Sequence, residues 1–226
     1  MKRTFYKTIG IVACLMLLFP FAGAVDLDSQ HRDPEYVKVI LNRSEKIVTF
    51  LNIADPDAYQ EVLHILANRY FELNDIYERR DSLVKVAKAN NPSPAVQRYL
   101  IDLAQQEKDA ALYRTHFAFP AALSLYLDDK QINAVKDGMT YGVLMVTYNS
   151  TLEMIPSLTD EEKRQIKAWL TEARELAIDA ESSNKKHEVF GKYKGRINNY
   201  LSARGYNLTK EREEWYKRIE AAKKAE

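Results

Sequence analysis

Apolar positions along this chain recur at intervals of three and four, the period of an α-helix packed on one face. Asp33-Pro34 supplies an N-cap and a first-turn proline. After it Val37, Ile40, Leu41, Ile47, Val48 and Leu51 mark one stripe up to about Ile53. Asp55-Pro56 repeats the start signal. Tyr59, Val62, Leu63, Leu66, Tyr70, Leu73, Ile76, Tyr77, Leu83 and Ala87 form a long second stripe, closed by Asn90-Asn91-Pro92. Ser93-Pro94 opens a third helix through Tyr99, Leu103, Leu112 and Phe117, and Pro120 is placed to bend or break it.

Leu127-Asp128-Asp129-Lys130-Gln131 and Leu158-Thr159-Asp160-Glu161-Glu162 are twin helix starts, each with an amide or acid three residues after the cap. Between them, residues 140–149 are rich in β-branched and aromatic side chains, with one glycine, and read as an irregular extended crossover. A helix follows through Ile166, Trp169, Leu170, Ala173, Leu176, Ala177 and Ala180. Another starts near Ser183, and a charged one runs from about Thr209. The pattern predicts an all-α fold: an antiparallel helical bundle with one irregular extended crossover near 140–149. No Gly/Ser-rich linker interrupts it, so residues 25–226 read as a single helical domain, with 207–226 a peripheral C-terminal helix.

The first 24 residues have a different character. Lys2, Arg3 and Lys7 precede the apolar run Ile9 to Phe21, which ends in Ala22-Gly23-Ala24, the small-x-small pattern of a signal peptide. The run is short for a membrane span, and a lipid anchor at Cys14 would leave the stronger apolar stretch after the lipid. Cleavage is expected after Ala24, with export to the periplasm or beyond the cell and no membrane span afterwards. Removing the leader takes the only cysteine, so no disulfide holds the remaining chain. It also changes 33 basic and 32 acidic residues to 30 and 32, a formal charge of −2. That balance argues against a nucleic-acid partner.

Candidate chemistry concentrates in Lys186 to Leu201, where cations, tyrosines, adjacent asparagines and two glycines share one helix. Its 3-4-3-4 stripe reads His187, Phe190, Lys194, Ile197, Leu201. His187 and Lys194 on such a stripe need partners, either a carboxylate such as Glu175 or Asp137, or a ligand. Gly191 and Gly195 each cost about 1 kcal/mol relative to alanine, so either another helix or a ligand is expected close to that backbone. Tyr193, Tyr200 and Arg204 form a ridge beside them. Val135 to Gly142 repeats the mixture with Asp137 and Tyr141. Aromatic faces suit the C–H faces of sugars, and Asn, Asp, Arg and Lys suit hydroxyls and uronate carboxylates. The candidate ligand-binding residues are therefore Asp137, Tyr141, His187, Tyr193, Lys194, Arg196, Asn198, Asn199 and Tyr200, with the two segments lining one cleft.

Val135 to Gly142, Met154 to Thr159, Glu172-Ala173-Arg174-Glu175 and Lys186 to Leu201 together resemble domain of unknown function 3826. This is a group of secreted bacterial proteins described as candidate sugar binders. The resemblance spans about Arg43 to Tyr206 and implies a carbohydrate ligand in glycan utilisation, with uronate-rich polysaccharide as one class. It supplies no catalytic residues. An enzyme on acidic polysaccharide, a lyase or a hydrolase, is the alternative: His187, Tyr193, Lys194 and Arg196 could serve a lyase. Asp137, Glu153, Glu172, Glu175 and Asp179 could furnish a glycosidase pair. A periplasmic helper or scaffold is a third reading, from the twin helix starts. The four histidines, His31, His64, His116 and His187, are too scattered for a metal site, and no nucleotide fingerprint or other cofactor motif occurs.

Overall fold

The computed structural model describes residues 24–90 and 93–224. The predicted leader therefore lies outside them, save for Ala24. The helices are α1 (Pro34–Val48), α2 (Pro56–Asn90), α3 (Pro94–His116), α4 (Ala118–Leu123), α5 (Asp129–Met139), α6 (Val143–Met154), α7 (Asp160–Ala177), α8 (Ser183–Ala203) and α9 (Leu208–Lys223), with a 3-10 turn at Thr49–Leu51. The fold is all-α.

Local chemistry sets the ends. The Asp33 carboxylate accepts from the amides of Glu35 and Tyr36, with Pro34 in the first turn. Asp128 and Thr159 close complete capping boxes with Gln131 and Glu162, so the twin helix starts are ordinary caps. The third helix breaks at Phe117, ahead of Pro120.

Two expectations are corrected. Residues 140–149 hold no strand, and none occurs among the described residues. Thr140 to Gly142 form the end of α5, and α6 begins at Val143. There the Gly142 amide bonds the Asp137 carbonyl (2.8 Å) and the Tyr141 amide bonds that of Gly138 (3.3 Å), the two bonds of a Schellman ending. β-branching costs a helix only tenths of a kcal/mol per residue. Burial of Leu144 outweighs it. The stripe through Tyr99, Leu103 and Phe117 also faces solvent, because α3 packs on α2 through the neighbouring Ala104 line.

Two cores result. Val48, Leu51, Val62, Leu66, Leu123 and Val135 pack α1, α2, α4 and α5 together. Leu144, Ile166, Leu170, Phe190, Ile197 and Leu201 join α6, α7 and α8. Ile178, just beyond α7, belongs to the first core, so the chain between α7 and α8 is where they meet. α5 is also tied to α7 by Arg174, which donates to Asp137 (2.9 Å) and Asn133, and by Lys136 to Glu175 (2.6 Å).

The helical glycines differ in kind. A Cβ on Gly138 would come within 2.9 Å of Ile47, where α5 meets α1, whereas Gly191 and Gly195 face open space. Gly138→Ala is expected to lose about 1 kcal/mol through overpacking, while Gly191→Ala and Gly195→Ala each gain up to about 1 kcal/mol. Urea denaturation of the three variants checks both signs.

Candidate functional site

The last turn of α7 ends in a buried place. Lys186, from the first turn of α8, reaches back and donates to the carbonyls of Ala177 and Ile178, each at 3.1 Å. Tyr77 of α2 donates to the Asp179 carbonyl at 2.8 Å. The Asp179 carboxylate accepts from Arg69 of α2 and meets His116 of α3 at 2.7 Å. These bonds fix residues 180–183, which form one wall of a cleft of about 830 Å³.

The cleft lies between α1, α2, the end of α5 and the start of α8. Val39, Arg43, Lys46 and Phe50 line the α1 side at 4-3-4 spacing, one face of the helix and its 3-10 extension. Tyr36 sits deeper on α1. Tyr70, Asn74, Tyr77, Glu78 and Asp81 come from α2, and Tyr141 closes the α5 end. The Arg43 guanidinium lies 5.4 Å from the centre of the Tyr70 ring. Burial pushes the Tyr70 hydroxyl above the ordinary tyrosine range, and raises that of Tyr77 to about 12. Both stay protonated at neutral pH and serve as neutral hydrogen-bonding groups.

Lys186 is 6 % exposed and lines this cleft. Burial drives its pKa down to about 8; the nearby cations Arg43 and Arg69 push the same way, and Asp179 opposes them. Two of its three protons are committed to carbonyls, and the third has no partner among the described residues.

Tyr141 occupies the position where a Schellman ending normally has glycine. Its φ is 59°, in the left-handed region. The residue is 57 % exposed, and its ring stacks on His187, with centroids 6.0 Å apart and planes 13° from parallel.

The nine residues read from the sequence thus separate into groups. Tyr141 lines the cleft and His187 touches it through that stack. Asp137 is held by Arg174 in the α5–α7 tie. Tyr193, Arg196 and Tyr200 lie on the α7–α8 seam: Arg196 sits 4.9 Å from the Tyr193 ring and 5.7 Å from Trp169, pairs with Glu172 at 3.3 Å, and Tyr200 meets Trp169 edge-on. Tyr193 is buried under that guanidinium. Lys194, Asn198 and Asn199 point to solvent. The two segments therefore meet at Tyr141 and His187, and they share one cleft only at their ends, through Gly138, Met139 and Tyr141 from the first and Lys186 from the second, while the other residues read from α8 lie outside it.

The buried stripe of α8 is Lys186, Phe190, Tyr193, Ile197 and Leu201. It corrects the stripe that placed His187 and Lys194 inside; both are exposed. No helix packs on Gly191 or Gly195, so the helix expected against that backbone is not there. Arg43, Lys46, Tyr70 and Tyr77 escaped the sequence reading. Two cations at i, i+3 between Val39 and Phe50 were the available signal for the first pair.

The sequence profile of domain of unknown function 3826, a family of unknown function, matches residues 37–221. The chain belongs to this family. No curated protein matches it. Among the described residues of this DUF3826 protein, no group of three or more His, Cys, Asp or Glu side chains could hold a metal ion. No helix among them is long and apolar enough to cross a membrane.

The Lys186 ammonium gives a pH dependence of defined sign. It loses its proton near pH 8 in the folded protein and near its ordinary 10.5 when unfolded. Between those values the unfolded chain binds more protons, so this group adds stability as pH rises and costs stability below about 8. At about 1.4 kcal/mol per pKa unit the swing is about 3 kcal/mol. Arg43, Arg69 and Asp179 are the charged groups that face it. The stability of wild type relative to Lys186→Met should therefore climb from pH 7 to pH 10.5, measured by denaturant titration at each pH. A flat difference would contradict the buried, charged lysine.

Proposed function

We propose that the α1–α2–α5–α8 cleft binds carbohydrate, and that the protein is exported to act in glycan utilisation. The observation that carries the reading is the lining: Tyr36, Tyr70, Tyr77, Tyr141 and Phe50 supply ring faces and hydroxyls, with Asn74, Arg43 and Lys46 among them. Sugars need this combination of flat apolar contact and directed hydrogen bonds. The volume suits a short stretch of chain, one to a few rings.

Export draws support from the segment after the predicted cleavage point. The Val25 amide nitrogen lies 2.7 Å from the Glu61 carboxylate, and the Val25 carbonyl meets His64 at 2.7 Å. A new α-ammonium at Val25 would replace that amide with a charge-assisted bond. N-terminal sequencing of exported protein should begin at Val25. A start elsewhere would remove this arrangement.

Lys186 favours the second reading, an enzyme on acidic polysaccharide. A lysine with its pKa near 8 is a usable proton acceptor when it faces substrate. Release of unsaturated uronate products, followed by ultraviolet absorbance, separates a lyase from a binding module.

Tyr141 offers a direct test. Glycine accepts φ of 59° without steric cost, so Tyr141→Gly should raise stability by up to about 1 kcal/mol. The same substitution should weaken glycan binding about tenfold or more, since it removes a stacking face at the cleft mouth. Denaturation and calorimetry on one preparation read both quantities. Unchanged affinity for a bound glycan would remove Tyr141 from the site.

A further inference from the structure

The charges around the cleft are unevenly matched. Glu181 and Asp81 share Arg80, at 3.1 and 2.7 Å, while Glu78 forms no ion pair among the described residues, so the acids of the lining gather at one end. At the other end, Arg43 and Lys46 form no ion pair among the described residues. Lys186 faces them from α8 with its ammonium on two backbone carbonyls. The acid whose charge acts on it, Asp179, is occupied by Arg69 and His116. Arg43 and Lys186 are close enough to repel one another, and Lys46, one turn along from Arg43, lines the same cleft; none of the three forms an ion pair among the described residues.

Their spacing follows from the helices that carry them. Arg43 and Lys46 are three residues apart on α1 and project on the same side. Val39 and Phe50 extend that side in both directions and are 52 % and 83 % exposed. Arg43 is held over the Tyr70 ring, which limits the freedom that binding would otherwise remove. Lys186 needs no reorganisation, because its carbonyl bonds already fix the ammonium. An oxyanion received here would relieve the mutual repulsion of the cations and replace solvent with charge-assisted bonds.

We propose that Arg43, Lys46 and Lys186 form an anion subsite that takes the oxyanion of an acidic sugar while Tyr141 and Phe50 contact its ring. The assignment rests on the carbohydrate reading of the cleft and narrows it to the acidic class. Carboxylate, sulfate ester and phosphate ester share the chemistry required: two or more acceptor oxygens with negative charge, on a polyhydroxylated ring.

The test uses the chain from Val25 and calorimetric titration with a galacturonate trimer, its fully methyl-esterified counterpart, and inorganic sulfate. The ester keeps ring, length and linkage and removes only the charge. Wild type is expected to bind the acid about tenfold or more tighter than the ester, the effect of one good charge-assisted hydrogen bond. Arg43→Gln, an exposed position on α1, should abolish that preference. A sulfated trimer and a sugar phosphate, run alongside, tell which oxyanion fits best.

Equal affinity of wild type for acid and ester, both weakened by Tyr141→Gly, would overturn the anion subsite and leave the carbohydrate reading standing. An acid preference that survives Arg43→Gln would overturn the residue assignment. Inorganic sulfate binding as tightly as the acidic trimer would show a free-anion site and overturn the sugar part. Failure of every sugar to bind, with the protein folded, would overturn the subsite and the carbohydrate reading together.

Discussion

The rest of the structure depends on how the carbonyl end of α7 is satisfied. A helix that stops in a buried place leaves carbonyls without partners, and they carry the negative end of its dipole. Here Lys186 caps two of them, Tyr77 takes the Asp179 carbonyl, and Arg69 and His116 hold the Asp179 side chain. The cost is a cluster of buried charge, which is weak as a source of net stability but punishing when one member is lost. Its yield is position. Four elements converge on residues 177–180, so the two cores have a fixed relation and the wall formed by 180–183 stands where α1 and α2 can face it.

The cleft follows from that knot and from one close helix approach. α5 reaches α1 at Gly138 against Ile47, a contact that a side chain would obstruct. Brought in this near, α5 delivers Tyr141 to the mouth while Met139 stays in the core. α1 divides its residues between two tasks. Ile40 and Val48 are buried, and Arg43, Lys46 and Phe50 are turned toward the opening. The same amphipathic turn thus stabilises the core and presents cations beside aromatic surface, and Arg80 engages Asp81 and Glu181 at the far end.

What could be read from sequence was what is decided locally. Asp33-Pro34, the Asp128 and Thr159 boxes and the start of α8 are written within four residues of chain, and all are present. The segment 140–149 misleads because β-propensity reports how a side chain fits a half-buried surface, not a backbone preference. Val143 and Leu144 found that surface on a helix. The α8 stripe was displaced by one residue because Lys186 looks polar. Its stem can be buried while its head finds carbonyls, and only the tertiary fold supplies those carbonyls. The cleft was illegible for a related reason. Arg43, Tyr70, Tyr141 and Lys186 come from four helices, and no periodicity links them.

Tyr141 is the point at which fold and function part. The ending of α5 needs a residue at φ of 59°, where glycine is at ease and a ring-bearing L-residue is held about 1–2 kcal/mol uphill. Core packing gives little in return, since more than half of the side chain is in solvent and its stacked neighbour, His187, is itself exposed. Gly142, one residue later and also left-handed, shows that glycine is available to this turn. A fold optimised for stability alone would use it at both positions. Local strain kept at the mouth of a cleft, without a packing return, is the pattern expected where a side chain is retained for what it contacts there. We therefore take the aromatic edge of the opening as the feature that most favours the ligand proposed there.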